Sequence, residues 1–224
     1  MTYGQVCRGN FLTRPNRFIA HVAVDGRTEV CHVKNTGRCR ELLTPGATVY
    51  LERSDNPKRK TQYDLIAVEK GDLLINMDAQ APNRVFGEWA AENWPGLLAL
   101  RPEFTWEDSR FDFRLETERG ITFVEVKGVT LEENGEVRFP DAPTERGVKH
   151  LHGLRRAVEQ GCGAAVCFVV QMKGVTHFRP NDLTHPAFGQ ALREAALAGV
   201  QVLAYDCVVT PESLRMDAPV PVLL

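Results

Sequence analysis

Residues 111–130 of the chain are FDFRLETERGITFVEVKGVT. Apolar and polar residues alternate in the first part of this stretch, a glycine follows, and β-branched residues are frequent in the second part. This pattern is typical of two strands joined by a tight turn. We place the turn symmetrically about the bond between Glu118 and Arg119, which pairs Glu116 with Ile121 across the predicted hairpin.

The predicted register brings two acids together, because it sets Asp112 directly opposite Glu125 and leaves Lys127 on the same face. The opposite face then carries apolar residues, as a sheet with one core side requires. These residues are Phe111, Phe113, Val124 and Val126. Carboxylates that face each other at ~5 Å repel by roughly 3 kcal/mol at an effective dielectric constant of about 20. We expect a positive group between them, either Lys127 or a divalent cation, and a plain charged sheet face is the alternative.

The bulk composition excludes several classes of protein. At 224 residues the chain is long enough for one larger domain or two small ones. Its apolar runs are too short to cross a membrane and its start lacks a secretory pattern, so we expect a cytoplasmic protein with no membrane partner. The 6 cysteines lack Cys-x-x-Cys spacing, which disfavours a zinc ribbon and a dense disulfide framework.

Residues 1–80 predict a small β-barrel of the oligonucleotide-binding (OB) type, although other small barrels fit nearly as well. Turn signals separate short runs of strand-forming residues, and no long helical pattern interrupts them. The five predicted strands are 18–24, 28–33, 48–51, 65–70 and 73–76. Lys and Arg slightly outnumber Asp and Glu before residue 80, and the reverse holds after it.

Basic and polar residues in the barrel loops predict a nucleic-acid surface. Three cations follow one another in a single loop, and the nearby Tyr63 offers a ring on which a base could stack. The predicted contacts in this part are Arg14, Arg17, Asn35, Thr36, Arg38, Arg53, Lys58, Arg59 and Lys60. Two alternatives stay open, namely a solvated loop and a helix cap formed by Asn35 and Thr36.

Residues 81–224 predict a second domain with α-helices and a mixed sheet, after a linker over residues 77–83. Helices are predicted at 84–94, 144–160 and 187–198, and strands at 103–106, 110–115, 121–127, 164–170 and 200–204. The strand at 164–170 is wholly apolar, which is typical of a sheet covered on both faces. Glu88 on the first helix is a further candidate metal ligand, and an exposed helix face is the alternative.

From Arg14 onward the chain resembles the sugar fermentation stimulation protein family of bacteria and archaea. The matching segments are Arg17-Phe18, Asn35-Thr36-Gly37, Ser54-Asp55-Asn56, Asn83-Arg84, Arg110-Phe111-Asp112-Phe113, VEVKGVTL at 124–131 and FPDAPTERGVKHL at 139–151. The resemblance implies an α+β chain, in which an OB-like barrel precedes an α/β domain similar to the PD-(D/E)xK nuclease superfamily. It also implies DNA binding, with proposed nuclease activity and a proposed link to sugar metabolism genes.

Two details of the resemblance concern individual residues. Phe111 stands where the superfamily name has proline, a change that the chemistry tolerates because the carboxylate of Asp112 holds the metal. Arg146 and Lys149 follow the hairpin at the start of a helix, where they are predicted to neutralise a scissile phosphate. Exposed cations at a helix start are the alternative.

The leading hypothesis is metal-dependent phosphodiester hydrolysis. Asp112, Glu125 and the carbonyl of Val126, with Glu88 as a further candidate, would hold Mg²⁺ or Mn²⁺. Lys127 would orient the attacking water and help to deprotonate it. The expected partner is DNA or RNA, and a homodimer is compatible with this class of fold. The rival functions are a non-catalytic DNA-binding regulator of sugar metabolism genes on a nuclease scaffold and a phosphodiesterase for small nucleotides.

Overall fold

The computed structural model describes residues 1–35 and 37–224 of the chain. Thr36, one of the predicted nucleic-acid contacts, lies outside the described residues. Within the described chain, no helix has the length and the apolar composition that crossing a bilayer requires.

The first sheet is a closed barrel. Its strands are β1 (Val6–Asn16), β2 (Ile19–Val24), β3 (Arg27–Val33), β4 (Thr48–Arg53), β5 (Tyr63–Lys70) and β6 (Leu73–Asn76). They lie in the order β3-β2-β1-β4-β5-β6, and a parallel pairing of β3 with β5 closes five of them into a ring. The predicted OB-like barrel is confirmed.

The barrel differs from the prediction in the identity of its five strands. The sequence pattern does not predict β1, because register shifts between Phe11 and Thr13 and between Thr13 and Asn16 break its alternation. The predicted fifth strand, β6, pairs with β5 alone and extends the sheet beyond the ring. A bulged strand is therefore the part of the barrel that simple periodicity misses.

Asp64 stabilises the closure of the barrel. It pairs with His32 across the contact between β3 and β5. Its carboxylate accepts two hydrogen bonds from Arg59, at 2.9 and 2.5 Å, and bonds to Nδ1 of His32 at 3.0 Å. Burial raises the pKa of Asp64, but the bonds from Arg59 and His32 outweigh burial and hold the pKa below its usual range.

The second half of the chain forms a mixed sheet and three helices in the described residues. Its elements are α1 (Ala81–Asn93), β7 (Leu97–Trp106), β8 (Ser109–Thr117), β9 (Gly120–Val129), β10 (Leu131–Glu133), β11 (Glu136–Phe139), α2 (Glu145–Glu159), β12 (Gly163–Val170), β13 (His177–Pro180), α3 (Pro186–Leu197), β14 (Gln201–Thr210) and β15 (Ser213–Pro219). The main sheet has the order β15-β14-β12-β9-β8-β7, with β12 parallel to both neighbours. The predicted mixed sheet is confirmed, and β10, β11 and β13 form a small separate sheet.

Helices cover both faces of the main sheet. On one face, Phe86 of α1 packs against Phe113 with ring centroids 5.0 Å apart. On the other face, Leu151 and Leu154 of α2 and Phe188 of α3 are buried in the cluster that contains Phe111 and Phe168. Because both faces are covered, β12 is apolar along nearly its whole length.

The first helix begins earlier than predicted. It starts at Ala81, so residues 81–83 of the predicted linker belong to α1. Pro82 lies in the first turn, where proline is tolerated because the missing N–H has no partner in the helix. A proline that signals a loop in the sequence therefore marks the start of a helix in the structure.

The hairpin of β8 and β9 has the predicted register. Glu116 pairs with Ile121, and the pairing continues to Phe113 opposite Val124. The ladder ends there, because the carboxylate of Asp112 accepts the N–H of Val126 at 2.8 Å.

The end of the ladder corrects one expectation about the faces of this hairpin. The ring of Phe111 packs against Phe123, with centroids 5.2 Å apart, while Phe113 packs against Phe86 of α1 on the other side of the sheet. Phe111 and Phe113 thus lie on opposite faces. The alternation of side chains fails where the two strands separate.

The barrel and the main sheet are joined by a buried polar contact as well as by a shared apolar core. Nε2 of Gln171 donates to Oδ1 of Asn76 at 2.9 Å and to the carbonyl of Asp78 at 3.0 Å. Gly128 permits this close approach, since a Cβ there would lie 2.5 Å from Oε1 of Gln171. Apolar residues of both halves, including Phe11 and Phe168, belong to one cluster.

The junction predicts the effect of removing Gln171. Gln171→Ala removes two buried hydrogen bonds that cross the junction, so the free energy of unfolding should fall by roughly 1–3 kcal/mol. Urea unfolding followed by tryptophan fluorescence measures the change. The matched control is Gln190→Ala, which removes an exposed side chain on α3 and should change stability by less than about 0.5 kcal/mol. If the two variants changed stability equally, the stabilising role of Gln171 at the junction would be wrong.

Asp64 predicts a pH-dependent contribution to stability. Its pKa is lower in the folded protein than in the unfolded chain, where it is about 3.9. Its stabilising contribution is therefore present above that value and is lost as the pH falls through the folded pKa. Asp64→Asn should cost roughly 1.5–3 kcal/mol at pH 7, with the loss shrinking in acid. Urea unfolding at several pH values, with Asp72→Asn in an exposed turn as the control, tests this.

Candidate active site and nucleic-acid surface

A polar cleft of about 540 Å³ opens where β8 and β9 separate and α2 begins. It is lined by Ala79, Gln80, Asn83, Glu103, Asp112, Glu125, Val126, Lys127, Thr144, Arg146 and Gly147. The structure therefore brings together the three residues of the predicted catalytic set, Asp112, Glu125 and Lys127.

Asp112 is fixed by two hydrogen bonds from different elements. Its Oδ1 accepts from Nδ2 of Asn83 on α1 at 2.8 Å, and its Oδ2 accepts from the N–H of Val126 on β9 at 2.8 Å. Burial, and then the negative charge of Glu125, raise the pKa of Asp112 above its usual range despite these bonds. The carboxylate is held in place by these bonds, and it forms no ion pair with any residue that the structure describes.

Glu125 is buried, with 2% of its surface exposed. Its Oε1 accepts from Nζ of Lys127 at 2.5 Å and bonds to Nδ1 of His150 on α2. Burial raises the pKa of Glu125, but the hydrogen bond of His150 and the charge of Lys127 outweigh it and hold the pKa below its usual range. Its Oε2 is buried and has no hydrogen-bond partner among the described residues.

The start of α2 positions the second group of cleft residues. The hydroxyl of Thr144 accepts from the N–H of Gly147 at 3.1 Å and so caps the helix. One turn later, Nε2 of His150 accepts from Nε of Arg146 at 3.3 Å. An imidazole that accepts at Nε2 donates from Nδ1, and Nδ1 of His150 faces Oε1 of Glu125. The exposed Arg146 is thereby placed at the cleft.

The oxygen atoms of the cleft residues are suitable ligands for a hard divalent cation. Oxygen from two carboxylates and from the carbonyl of Val126 is the type of ligand that Mg²⁺ and Mn²⁺ prefer. The buried Oε2 of Glu125 needs a positive partner, because an unpaired charged oxygen in the interior is costly. Within the described residues, no cluster of three or more His, Cys, Asp or Glu side chains could hold a metal. Such a site would be completed by water, as Mg²⁺ sites commonly are.

The structure does not bring Glu88 into this cleft. Its carboxylate pairs with the amino group of Met1 at 2.7 Å and with Arg84 at 3.3 Å. Lys149 also lies outside the cleft lining, where it pairs with Asp108 at 3.4 Å. Spacing along a helix does not reveal which turn faces the cleft, so the assignment of Glu88 to the metal is corrected by the geometry. The phosphate contact of Lys149 stays a prediction, because its side chain is exposed.

In the barrel, three of the predicted nucleic-acid contacts have structural partners. Arg14 donates to the carbonyls of Arg17, Asn35, Gly37 and Arg38 at 2.7–2.9 Å and so fixes the loop around them. Arg59 is bonded to Asp64, and Oδ1 of Asn35 accepts from the N–H of Gly37 at 2.8 Å. The donors of Arg14 and Arg59 thus organise loops of the barrel, and Asn35 takes part in the same loop through its side-chain oxygen.

The other predicted cations are exposed around the barrel. Arg53 is the last residue of β4, and Lys58 and Lys60 lie in the loop between β4 and β5. Arg17 and Arg38 line a second cavity of about 470 Å³. Its lining is Arg14, Asn16, Arg17, Gly37, Arg38, Cys39, Arg40, Leu43 and Ala142. A basic surface is therefore present near the junction of the two halves.

Sequence reasoning missed the residues that orient the acids. Asn83 and His150 were visible in the matching segments of the chain, but neither has a chemical role that its neighbours in sequence reveal. Their contacts arise only when α1 and α2 pack on opposite faces of the sheet. Arg40 was missed for a similar reason, since its side chain reaches the arginine-lined cavity through the folding of a loop.

Family models match both halves of the chain. A model described as SfsA N-terminal OB domain matches residues 12–77, and a model described as sugar fermentation stimulation protein RE domain matches residues 80–213. The two matches together span most of the chain.

Relatives and a solved structure agree with these matches. A sugar fermentation stimulation protein homolog of Clostridium beijerinckii is 52% identical over 226 residues, covering 100% of both chains. One of Desulfitobacterium hafniense (strain Y51) is 56% identical over 216 residues, covering 96% of this chain and 95% of the relative. The structure of Pyrococcus furiosus SfsA in complex with Ca²⁺ matches with a TM-score of 0.90 and 26% identity, covering 100% of this chain and 98% of that one.

The repulsion between the two acids predicts that the cleft costs stability. Asp112→Asn removes one negative charge and keeps the shape of the side chain. The hydrogen bond to α1 can also be kept, because Asn83 can turn its amide oxygen toward the new NH₂ group. In chelator at pH 7, the free energy of unfolding should rise by an amount on the order of 1 kcal/mol. Urea unfolding measures this change. Asp182→Asn removes an exposed aspartate that is paired with Arg193 and should give no gain.

Proposed function

The chain belongs to the sugar fermentation stimulation protein family, and we propose that its cleft hydrolyses phosphodiester bonds of nucleic acid with the help of a divalent cation. One observation carries the proposal. Glu125 is buried beside Asp112 and Lys127, and its Oε2 has no partner among the described residues. An acid with a free oxygen, a second acid and an amine in one cleft are the groups that metal-dependent phosphodiester hydrolysis uses.

Asp112, Glu125 and the carbonyl of Val126 would hold the cation, which we propose to be Mg²⁺ or Mn²⁺. The structure of the Pyrococcus furiosus relative is a complex with Ca²⁺, a hard cation that prefers oxygen ligands, and this supports the proposal of a divalent ion here. When bound, such an ion lowers the pKa of a coordinated water and polarises a phosphate oxygen.

The residues of the chain itself position the substrate and the water. Nζ of Lys127, held at 2.5 Å from Oε1 of Glu125, is half-buried and can donate to the attacking water and to the charge that develops on phosphorus. The guanidinium of Arg146 lies at the same cleft and offers a planar pair of donors to the phosphate. Asn83 and His150 keep Asp112 and Glu125 in place, so the acids are oriented before substrate binds.

The barrel would bind the nucleic acid beside the scissile bond. Arg17, Arg38 and the exposed cations Lys58 and Lys60 supply the charge that phosphate groups require. The cleft and the arginine-lined cavity both lie along the segment from Ala142 to Arg146. One nucleic-acid chain can therefore contact the barrel and the cleft at once.

A DNA-binding regulator without turnover is the second candidate. The arginine-lined cavity favours it, since phosphate binding there needs no chemistry in the cleft. Titration with DNA in chelator at two salt concentrations separates the two functions. Tight, salt-dependent binding together with the absence of any product in Mn²⁺ would support the regulator.

The hydrolase predicts loss of cleavage in two variants. Asp112→Asn removes a ligand charge and Lys127→Ala removes the amine, so each should lower the rate of Mn²⁺-dependent cleavage by roughly 10²-fold or more. Labelled single- and double-stranded DNA and RNA, resolved on denaturing gels, give the rates. Chelator should abolish cleavage by the unaltered protein.

Matched controls separate chemistry from folding. Asp182→Asn and Arg193→Ala each break one exposed ion pair outside the cleft lining and should leave the rate unchanged. If both Asp112→Asn and Lys127→Ala cleaved as fast as the unaltered protein, the assignment of the cleft would be wrong.

A further inference from the structure

Phe18 is an aromatic side chain in an unusual position. It lies in the turn between β1 and β2, where 50% of its surface is exposed. The guanidinium of Arg17 lies over its ring at 5.8 Å from the centroid. A single exposed leucine needs no explanation, but a ring held beside a cation in this loop of an OB-like barrel has the properties of a base-stacking surface.

The cavity next to Phe18 is suited to phosphate. Arg17, Arg38 and Arg40 line it with exposed side chains, and no acidic residue is present among its described lining residues. Arg14 adds rigidity, since it binds carbonyls of the two loops that carry these arginines. The ring and the cations are thus arranged before a ligand arrives, which reduces the entropy lost on binding.

A third cavity lies between the arginine-lined cavity and the cleft of Asp112 and Glu125. Gly37 lines both the arginine-lined cavity and this middle cavity of about 170 Å³. Ala79 lines both the middle cavity and the cleft of Asp112 and Glu125. The three cavities are therefore neighbours across the junction of the barrel and the main sheet, and we call this row of cavities the trough.

We propose that this trough binds a single strand of nucleic acid, with one base stacked on Phe18 and the adjoining phosphates in the arginine-lined cavity. A duplex buries the faces of its bases against each other, so a base can cover the ring of Phe18 only when it is unpaired. The strand then runs through the middle cavity to the cleft. That last step rests on the proposed function, whereas binding at Phe18 does not.

Binding measured in chelator tests the proposal without any cleavage. Fluorescence anisotropy gives the affinity of the protein for single-stranded DNA of about 16 nucleotides and for the matching duplex. Phe18→Ala should weaken single-strand binding by roughly 5- to 100-fold and leave duplex binding unchanged. Phe18→Trp should keep the affinity, and its added indole should be quenched when the single strand binds. Single-stranded RNA, used as a second probe, should show the same dependence on Phe18.

Leu183→Ala is the matched control, because Leu183 is an apolar residue with 92% of its surface exposed in the loop before α3. It should change neither affinity. Arg38→Ala should weaken single-strand binding and reduce its salt dependence by about one charge. If Phe18→Ala bound the single strand as tightly as the unaltered protein, or lost single-strand and duplex binding equally, the proposal would be overturned.

The outcomes distinguish this proposal from the hydrolase. Phe18-dependent binding in chelator without any cleavage in Mn²⁺ supports the single-strand site and removes the hydrolase. Cleavage in Mn²⁺ that does not depend on Phe18, with unchanged binding of Phe18→Ala, supports the hydrolase and removes the single-strand site.

Discussion

The structure depends on the point where β8 and β9 stop pairing. After Phe113 and Val124 the ladder ends, and the carboxylate of Asp112 accepts the N–H of Val126 that a regular partner strand would otherwise bind. The separation makes room for Glu125 and lets helices on opposite faces reach the two acids, Asn83 from α1 and His150 from α2. The cleft therefore lies where the backbone of β9 no longer pairs with β8 and the side chain of Asp112 accepts the N–H of Val126.

The sequence predicts those features that depend on alternation and on composition. Alternation in the hairpin gives the pairing of Glu116 with Ile121, and the apolar run of β12 indicates a strand covered on both faces. The alternation of apolar and polar residues gives the wrong face for Phe111, because alternation presumes a regular strand and Phe111 lies where the two strands separate. It also fails for β1, whose bulges interrupt the periodic pattern.

In the candidate site, too, some residues can be predicted from the sequence and others cannot. Two acids and an amine could be found because their spacing within one hairpin is local. Contacts from other elements could not be found, since a cation in the sequence gives no sign of whether it meets phosphate or protein. Arg14 was predicted to bind nucleic acid and instead donates to backbone carbonyls, while Glu88 was predicted to bind a metal and instead pairs with Met1. Each of these outcomes depends on the packing of distant segments.

The apolar core runs without a break from the barrel to the main sheet, and Gln171 adds a buried polar contact across the same boundary. The interval between the arginine-lined cavity and the cleft is consequently set by packed side chains and not by a tether. A protein built in this way can work as a molecular ruler. Under the proposed function, a strand bound in the arginine-lined cavity would be cut at a constant number of nucleotides from that cavity, and its products would share one length.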